Sequence, residues 1–367
     1  MTEVSGKVLR RGYTTGTCAA AAAKAAVEML FQERDLCEVE VALPAGGTAR
    51  LKIMERRIGE GGAWCAVVKD AGDDPDVTDG ARICASARKL PRGIVVKGGR
   101  GVGVVTKKGL PIPVGEKAIN PVPMAMIRGE VSKALPPGMG VEVEISVPEG
   151  ERLAKRTLNE KLGIMGGISI IGTTGIVEPY SVDAFKRSLS PQIDIALAAG
   201  FDEPVLTPGR ISERRAVEKG VPEDALVVMA NHVGFILGEC ARKGVRRALL
   251  YGGPGKLAKL SAGHLNTHSS VGGPALEVIS GKAGLLGVPE DVMEGVLGSS
   301  RAEEAALLLK KRGCGEVLDR IAEDAGARCS GHVGGSISIG VIIASGDGTV
   351  LGCNREARSS RWAGLLL

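Results

Sequence analysis

The sequence predicts a mixed chain, with an α+β region followed by an α/β region that is built on a parallel sheet. In the first region, alternating apolar stretches that are typical of strands are mixed with helical segments. From residue 168 onward, short apolar runs and helical segments alternate strictly, with short links between them. Such alternation is typical of a parallel sheet that is covered by helices on both faces.

The first domain is predicted to span residues 1–152. Thr14-Thr15-Gly16-Thr17 supplies hydroxyls that can cap an alanine-rich helix over 19–30, and a second helix is predicted over 124–135. Strands are predicted over 38–43, 49–54, 63–68, 94–96, 103–106 and 141–147. The Pro, Gly and charged residues of 148–152 indicate the boundary with the next domain.

The second domain is predicted over residues 153–332. Its strands are expected at 168–171, 205–206, 225–229 and 248–251. Its helices are expected at 182–199, 212–219, 233–242, from Lys256 onward, and at 274–282, 289–296 and 302–312. A late hairpin, 336–344 with 349–352, belongs to a tail over 333–367 whose packing the sequence leaves open.

Composition excludes several classes of protein. The 367 residues are 44% hydrophobic and 24% charged, which is ordinary for a folded chain of two domains. A net charge of +5 without an aromatic-studded basic stripe does not indicate nucleic-acid binding. The 8 cysteines form no Cys-x-x-Cys pair, which argues against a disulfide scaffold or a zinc ribbon. Without a signal-peptide pattern or a long apolar run, we expect a cytoplasmic protein with no membrane partner.

The predicted strands of the second domain all end in small or polar residues. Right-handed crossovers bring the carboxyl ends of parallel strands to one edge, where ligands bind. These four exits are Gly172-Thr173-Thr174-Gly175, 207–210, 230–234 and 252–255. Exposed backbone N–H groups there suit a carboxylate or a phosphate, so we predict a ligand-binding edge centred on Gly172–Gly175. The alternative, that these glycines only form turns, stays open.

Standard nucleotide-binding fingerprints are absent from the sequence. No G-x-G-x-x-G follows a strand, and no G-x-x-x-x-G-K-[ST] occurs. The second strand ends near Arg210 and not in the acidic residue that would hold a ribose. These absences weaken the case for a standard NAD enzyme and for a standard Rossmann-type methyltransferase.

An acidic loop at 70–80 carries five aspartates, which repel one another unless something neutralises them. A metal, a bound cation such as a sulfonium, or nearby Lys and Arg would do so, although the spacing does not match a calcium loop. Aspartates also simply form turns. His264 and His268 would share a helix face but make no H-E-x-x-H motif, so no metal site is predicted.

Five long segments, taken in order, resemble the cobalt-precorrin-5B C(1)-methyltransferase family (CbiD-type). They are GYTTGTCAAAAAKAA at Gly12–Ala26, KDAGDDPDVTDGA at Lys69–Ala81, GVGVVTKKGLPIPVGEKAINPVPMAMI at Gly101–Ile127, GISIIGTTGIVEPYS at Gly167–Ser181 and GKLAKLSAGHLNTHS at Gly255–Ser269. The chain departs from the family pattern at Met124, where Arg is expected, at Pro254, where His is expected, and at Gly272-Gly273, where Ala-Asp is expected.

The resemblance implies a first domain like domain 2 of ribosomal protein S5 and a Rossmann-like second domain. It also implies methyl transfer from S-adenosylmethionine to C-1 of cobalt-precorrin-5B, giving cobalt-precorrin-6A in anaerobic cobalamin (vitamin B12) biosynthesis. Three other functions stay open: an NAD(P)H-dependent precorrin reductase, a phosphoryl-transfer enzyme and a non-catalytic tetrapyrrole-binding protein. The expected partner is the small-molecule substrate, and a homo-oligomer is left open.

Three groups of site residues follow from this hypothesis. The aspartates predicted to assist a proton shift or to face the sulfonium are Asp70, Asp73 and Asp74. The residues predicted to bind the cofactor are Gly172, Thr173, Thr174, Gly175, Asn231, Gly252 and Gly253. The residues predicted to bind the carboxylate-rich corrinoid, which is expected to lie between the domains, are Thr14, Thr15, Thr17, Lys97, Arg100, Lys107, Lys108 and Asn120.

Overall fold

The fold was obtained as a computed structural model that describes residues 3–4, 7–59, 61–269 and 275–367. The chain divides into two compact units, Met1–Val182 and Asp183–Leu367. In the described part of the chain, no helix has both the length and the apolar character needed to cross a membrane.

The first unit is a mixed α and β structure. Its strands are β1 (Glu3–Val4), β2 (Lys7–Val8), β3 (Gly12–Tyr13), β4 (Glu38–Ala42), β5 (Thr48–Lys52), β6 (Glu55–Gly59), β7 (Gly62–Val68), β8 (Arg82–Leu90), β9 (Gly93–Gly98), β10 (Gly101–Val102), β11 (Val104–Val105), β12 (Gly140–Ser146), β13 (Ile164–Met165), β14 (Gly167–Ile168) and β15 (Ile176–Val177). Its helices are α1 (Thr15–Gln32), α2 (Pro121–Ala134) and α3 (Gly150–Ala154).

A five-stranded sheet, in the order β6-β7-β8-β12-β9, lies at the centre of the first unit. Its strands pair antiparallel except for β12 and β9, which are parallel. The alanine-rich helix α1 is almost wholly buried, because it packs against the sheet and also against α2. Small side chains let α1 approach both neighbours closely, so a chain with few aromatics still builds a dense core.

Helices α1 and α2 run side by side in the same direction. At their starts, a Cβ on Gly16 would lie 2.8 Å from Pro123 Cγ. Two turns further along both helices, Lys24 pairs with Glu130 at 3.1 Å. The two helix N-termini therefore lie at the same end of the unit.

Residues 153–182 fall within the first unit, whereas the sequence placed them at the start of the second domain. Strand β14 pairs in parallel with β10, and β13 and β15 pair with β11 and β3. The expectation that 168–171 opens the parallel sheet of the second domain is therefore wrong. A short apolar run predicts a buried strand but carries no information about which sheet it joins.

The second unit alternates strands and helices. Its strands are β16 (Val205–Thr207), β17 (Leu226–Val228), β18 (Arg247–Gly252), β19 (Ser338–Ala344) and β20 (Val350–Cys353). Its helices are α4 (Val182–Leu189), α5 (Pro191–Ala198), α6 (Arg210–Glu218), α7 (Val233–Arg242), α8 (Pro254–Ser261), α9 (Ala275–Leu285), α10 (Glu290–Gly298), α11 (Ala302–Lys311), α12 (Glu316–His332) and α13 (Arg355–Arg358).

The sheet of the second unit has the order β17-β16-β18-β19-β20. Its first four strands are parallel, which confirms the predicted strands near 205, 225 and 248. The predicted late hairpin is also confirmed, since β20 pairs antiparallel with β19 and so completes this sheet. The finer likenesses expected for the two domains, to ribosomal protein S5 and to the Rossmann fold, stay predictions.

Helices cover both faces of this sheet. One face carries Val205, Leu249 and Ile342, which pack in one cluster with Ala216 of α6 and with the C-terminal Leu365. On the opposite face, a Cβ on Gly326 of α12 would lie 3.5 Å from Val341. Helix α8 packs against α12 and therefore belongs to that opposite layer.

Some elements were not predicted. Strand β8 is central in the first sheet, and α12 buries Val317, Ile321, Ala325 and Cys329 at helical spacing. The helix expected over 182–199 is divided into α4 and α5 at Ser190, before a proline that cannot continue the first helix.

We predict that a fragment of residues 1–182 unfolds cooperatively and that a fragment of residues 1–152 does not. The shorter fragment lacks β13 and β14, so Val102 and Val105, both fully buried, would be exposed to water. Thermal unfolding followed by circular dichroism would compare the two. A cooperative transition of equal midpoint in the shorter fragment would place residues 153–182 outside the first folding unit.

Candidate functional site

Three segments that the sequence singled out meet in the first unit: residues 10–17, 70–80 and 171–180. We call this region the N-terminal junction. Strand β3 pairs with β15, and Tyr13 N–H donates to the Asp70 carbonyl oxygen at 2.8 Å. A Cβ on Gly12 would overlap the backbone of Ala71, so the first two segments are in direct contact.

The threonines of the first segment hold the third one. Thr14 is the N-cap of α1 and accepts a hydrogen bond from Thr17 N–H at 3.2 Å. The Thr17 hydroxyl donates to the Gly175 carbonyl at 2.7 Å, and Ile171 N–H donates to the Thr15 hydroxyl at 2.9 Å. All three side chains are buried, so their observed role is structural. Their predicted contacts with substrate stay a prediction.

The loop Gly172–Gly175 belongs to this junction and not to the edge of the second sheet. Gly172 has φ +140°, and a Cβ there would lie 2.5 Å from Thr14 Cβ. Gly175 has φ +84° and is buried. The glycines therefore let the loop lie flat on the start of α1, while Thr173 and Thr174 are exposed.

Two helix N-termini converge on the segment 169–171, which follows β14. The Thr15 hydroxyl contacts the Ser169 and Ile171 carbonyls on one side, and Asn120 N–H donates to the Ile170 carbonyl at 3.0 Å on the other. Asn120 is the N-cap of α2, but its side chain makes no cap hydrogen bond. Because helix N-termini carry partial positive charge, their pairing favours an anionic group at this end of the unit.

The predicted catalytic aspartates connect the segments of the junction. Asp70 accepts hydrogen bonds from both terminal guanidinium nitrogens of Arg10, and Asp73 accepts one from the Arg10 backbone N–H at 2.7 Å. Asp74 accepts Tyr180 N–H at 2.8 Å. The hydrogen bonds from Arg10 hold the pKa of Asp70 below its ordinary value, so this carboxylate stays ionised at neutral pH.

The rest of the acidic loop is neutralised from inside the protein. Lys69 is almost fully buried, and its Nζ lies 2.7 Å from Asp76 Oδ2. The other oxygen of Asp76 accepts the N–H and the hydroxyl of Thr78. Of the neutralising partners considered from the sequence, nearby Lys and Arg are the ones that the structure shows.

The basic residues predicted to bind substrate lie outside the junction segments. Lys97 pairs with Glu142 at 2.5 Å, and Lys107 donates to the Lys161 carbonyl at 3.1 Å. The side chains of Arg100 and Lys108 are exposed. Their role in binding carboxylates stays a prediction.

The other predicted cofactor residues lie at the carboxyl edge of the second sheet. Asn231 follows β17, and its carbonyl accepts Thr267 N–H at 3.1 Å. Gly252 ends β18, and a Cβ there would lie 2.8 Å from Pro208 Cγ in the loop after β16. Gly253 is the N-cap of α8. These three residues lie at the carboxyl ends of strands, as the sequence predicted, whereas Gly172–Gly175 lies in the first unit.

Histidines that the sequence left unassigned gather at the start of α7. His232 is the N-cap of α7, and its ring meets Phe185 edge-on at 5.7 Å. The His332 ring lies 3.2 Å from the Gly234 carbonyl. Burial, with Lys186 and His268 nearby, lowers the pKa of His232, so this ring is neutral at pH 7. The expected shared helix face of His264 and His268 is wrong, because α8 ends at Ser261.

The family departures have modest structural consequences where the structure describes them. Met124 lies partly buried against the core of the first unit. Pro254 is the first residue of α8, where a missing N–H costs little. Gly272 and Gly273 lie outside the described residues.

We predict that Gly172→Ala destabilises the first unit by about 2–5 kcal/mol. The new methyl group would overlap Thr14, and the positive φ would add backbone strain. Gly166→Ala is the matched control, since Gly166 has φ +72° but no heavy atom within 4 Å of a new Cβ, and it should cost only about 1–2 kcal/mol. Urea unfolding measures both; equal losses would show that the contact with Thr14 is unimportant.

Known proteins match this chain along almost its whole length. A family model described as CbiD matches residues 2–179, and one described as CbiD, C-terminal domain, matches residues 266–355. A curated cobalt-precorrin-5B C(1)-methyltransferase from Moorella thermoacetica is 45% identical over 352 residues, covering 95% of this chain and 96% of that protein. The protein of the same name from Desulfitobacterium hafniense is 44% identical, covering 93% of this chain and 89% of that protein.

A crystal structure of a cobalamin biosynthesis protein (cbiD) from Archaeoglobus fulgidus is 34% identical and covers 69% of this chain and 80% of that one, with a TM-score of 0.40. The match of the family models and the 45% identity with the Moorella thermoacetica protein over 95% of this chain show that the chain belongs to the CbiD family.

Proposed function

We propose that this chain transfers a methyl group from S-adenosylmethionine to C-1 of cobalt-precorrin-5B, giving cobalt-precorrin-6A. One observation carries the proposal: a curated cobalt-precorrin-5B C(1)-methyltransferase matches at 45% identity across 95% of the chain. The chain is accordingly a methyltransferase of cobalamin biosynthesis, and its substrate is a small molecule.

The proposed methyl transfer requires mainly that the donor and the acceptor are correctly aligned. Methyl transfer to carbon is an in-line displacement, in which the sulfonium carbon and the acceptor carbon must meet with water excluded. Orientation alone can supply about 7–11 kcal/mol of the barrier reduction. No protein nucleophile is required, and glycine-lined loops that approach a ligand closely suit this task.

We place substrate carboxylates at the N-terminal junction. The paired starts of α1 and α2 favour an anion, and the Asn120 side chain is not used as a cap. The exposed Thr173 hydroxyl lies on the loop that these helix starts support. On this proposal the loop Gly172–Gly175 is held in place by Thr14, Thr15 and Thr17, which do not contact the substrate themselves. Lys97, Arg100, Lys107 and Lys108 add positive charge around the corrinoid.

We place the methyl donor at the carboxyl edge of the second sheet. The loops after β16, β17 and β18 meet there, and they carry Asn231, Gly252 and Gly253. Parallel sheets bind small ligands at this edge. The sequence predicted that Gly172–Gly175 contacts the donor at this same edge. Because this loop lies in the first unit, we propose that it contacts the substrate there instead.

Among the three aspartates, Asp70 is the one we propose to face the sulfonium. Its side chain is 52% exposed, and its carboxylate accepts hydrogen bonds from Arg10 and from Gly72 N–H. Asp73 and Asp74 accept the N–H groups of more distant segments, at Arg10 and Tyr180. A lowered pKa suits a permanent anion opposite a cation better than it suits a proton carrier. Asp73 and Asp74 then position Asp70.

The proposed function predicts that the purified protein converts cobalt-precorrin-5B and S-adenosylmethionine into a product heavier by one methyl group, measured by mass spectrometry. Calorimetric titration should show binding of S-adenosylmethionine and of its demethylated product, and no binding of NADPH or ATP. Binding of NADPH alone would favour a reductase, and binding of ATP alone a phosphoryl-transfer enzyme. Binding of the corrinoid without any cosubstrate or turnover would favour a carrier.

We predict that Asp70→Asn lowers kcat by about 10- to 100-fold, because it removes the negative charge proposed to face the sulfonium. The matched control is Asp35→Asn, which breaks another exposed Arg–Asp pair, with Arg56, away from the junction. Since the pKa of Asp70 lies below its ordinary value of 3.8, wild-type kcat should not change through this group between about pH 5 and pH 8. Equal activity of both variants would remove Asp70 from the reaction.

A further inference from the structure

The second sheet changes the direction of its connections between β16 and β18. These strands are neighbours, yet the chain leaves β16 through α6 for β17 on one side, and leaves β18 through the helices α8 to α12 for β19 on the other. Because parallel crossovers are right-handed, helices leaving in opposite directions lie on opposite faces. The packing of α6 and α8 described above agrees with this. The carboxyl ends of such a strand pair form a crevice in which ligands bind.

Two buried hydroxyl groups lie on this strand pair. Thr207 is the last residue of β16 and is fully buried, and Tyr251 on β18 is 1% exposed. The Thr207 Oγ1 and the Tyr251 hydroxyl oxygen make no hydrogen bond to any part of the protein that the structure describes. A buried hydroxyl without a partner is costly, so such groups commonly serve a ligand or bind ordered water.

Both hydroxyl-bearing residues lie on the same face of the sheet. Val205 and Leu249 are register partners and pack in one cluster on the face that α6 covers. Side chains alternate along a strand, so Thr207 lies on the face of Val205 and Tyr251 on the face of Leu249. The two groups therefore flank the switch point from adjacent strands.

The loops above these strands touch each other. Lys256 Nζ, in the first turn of α8, donates to the Pro208 carbonyl at 2.8 Å. The N-caps of helices α6 and α8 are Gly209 and Gly253, and neither helix has a side-chain cap hydrogen bond. Two uncapped helix starts and a lysine favour a carboxylate at the mouth of the crevice, above the two hydroxyls.

The strand ends offer neutral hydroxyl groups to a nucleoside below that carboxylate. An acidic residue at the end of the second strand often holds a ribose, but β16 and β17 end in Thr207 and Val228 and are followed by Pro208 and Met229. Neutral hydroxyls can donate to and accept from ribose hydroxyls and ring nitrogens without an acidic partner. A ligand with a carboxylate and a nucleoside matches the donor of the proposed function.

We infer that Thr207 and Tyr251 hydrogen-bond the nucleoside part of the methyl donor at the β16–β18 switch point, which the donor enters when the contact between Lys256 and Pro208 opens. This inference rests on the proposed function and adds the two residues that select the donor. Neither residue touches the reacting methyl group, so both act in binding.

Thr207→Val and Tyr251→Phe remove each hydroxyl while keeping the side-chain shape. Each should weaken binding of S-adenosylhomocysteine, measured by calorimetry, by about 3- to 10-fold, and the double variant by roughly the product. The KM for S-adenosylmethionine should rise while the KM for the corrinoid stays unchanged. The midpoint of thermal unfolding without ligand should not fall, because no hydrogen bond within the described protein is lost.

Two controls make the test specific. Ser261→Ala removes a buried hydroxyl on α8 that donates to the Ala258 carbonyl at 2.7 Å, so it should lower the unfolding midpoint and leave the affinity for S-adenosylhomocysteine unchanged. Thr207→Ser keeps the hydroxyl and should bind as the wild type does. If Thr207→Val fails to fold, Tyr251→Phe alone still decides the test, because it removes the second hydroxyl.

The outcomes separate this inference from the proposed function. Wild-type affinity in both hydroxyl-deleted variants, with or without a lower unfolding midpoint, overturns the inference and leaves the function intact; a lower midpoint would assign the hydroxyls to buried water. Wild-type protein that binds no S-adenosylhomocysteine overturns both.

Discussion

The contact between the start of α1 and the loop 171–175 is the constraint on which the first unit depends. The hydroxyls of Thr15 and Thr17 satisfy backbone groups of that loop, and Gly172 leaves the room that the Thr14 side chain fills. This contact is also what draws residues 153–182 into the first unit, since β15 then continues alongside β3. A helix cap and a loop anchor are thus made by the same few hydroxyls.

The acidic loop is held to the same contact through charge. Arg10 binds Asp70 and Asp73, and buried Lys69 binds Asp76. Exposed ion pairs contribute little to stability, but they fix geometry when several share one loop. The loop therefore keeps a defined shape, which is what an enzyme that works by alignment requires.

Helices and strands could be predicted from the sequence, but the contacts between segments far apart in the chain could not. The cap at Thr14 predicted α1, and alternation predicted β12 and the strands of the second sheet, because these depend on neighbours in the chain. The pairing of β14 with β10, and the contact of His332 with Gly234, join residues roughly 65 to 100 positions apart. No periodic pattern encodes such contacts, so the strongest motif, Gly172–Gly175, was recognised correctly as a tight loop and assigned to the wrong sheet.

The absence of an acidic residue at the ends of β16 and β17 takes on a different meaning once the sheet order is known. In the sequence it argued against a standard nucleotide site, because the usual ribose partner is missing. In the sheet, the same edge carries buried Thr207 and Tyr251 at its switch point. Neutral hydroxyls can orient a nucleoside through hydrogen bonds without an acidic partner. Selectivity for the donor can then come from shape and hydrogen bonding at this edge of the second sheet.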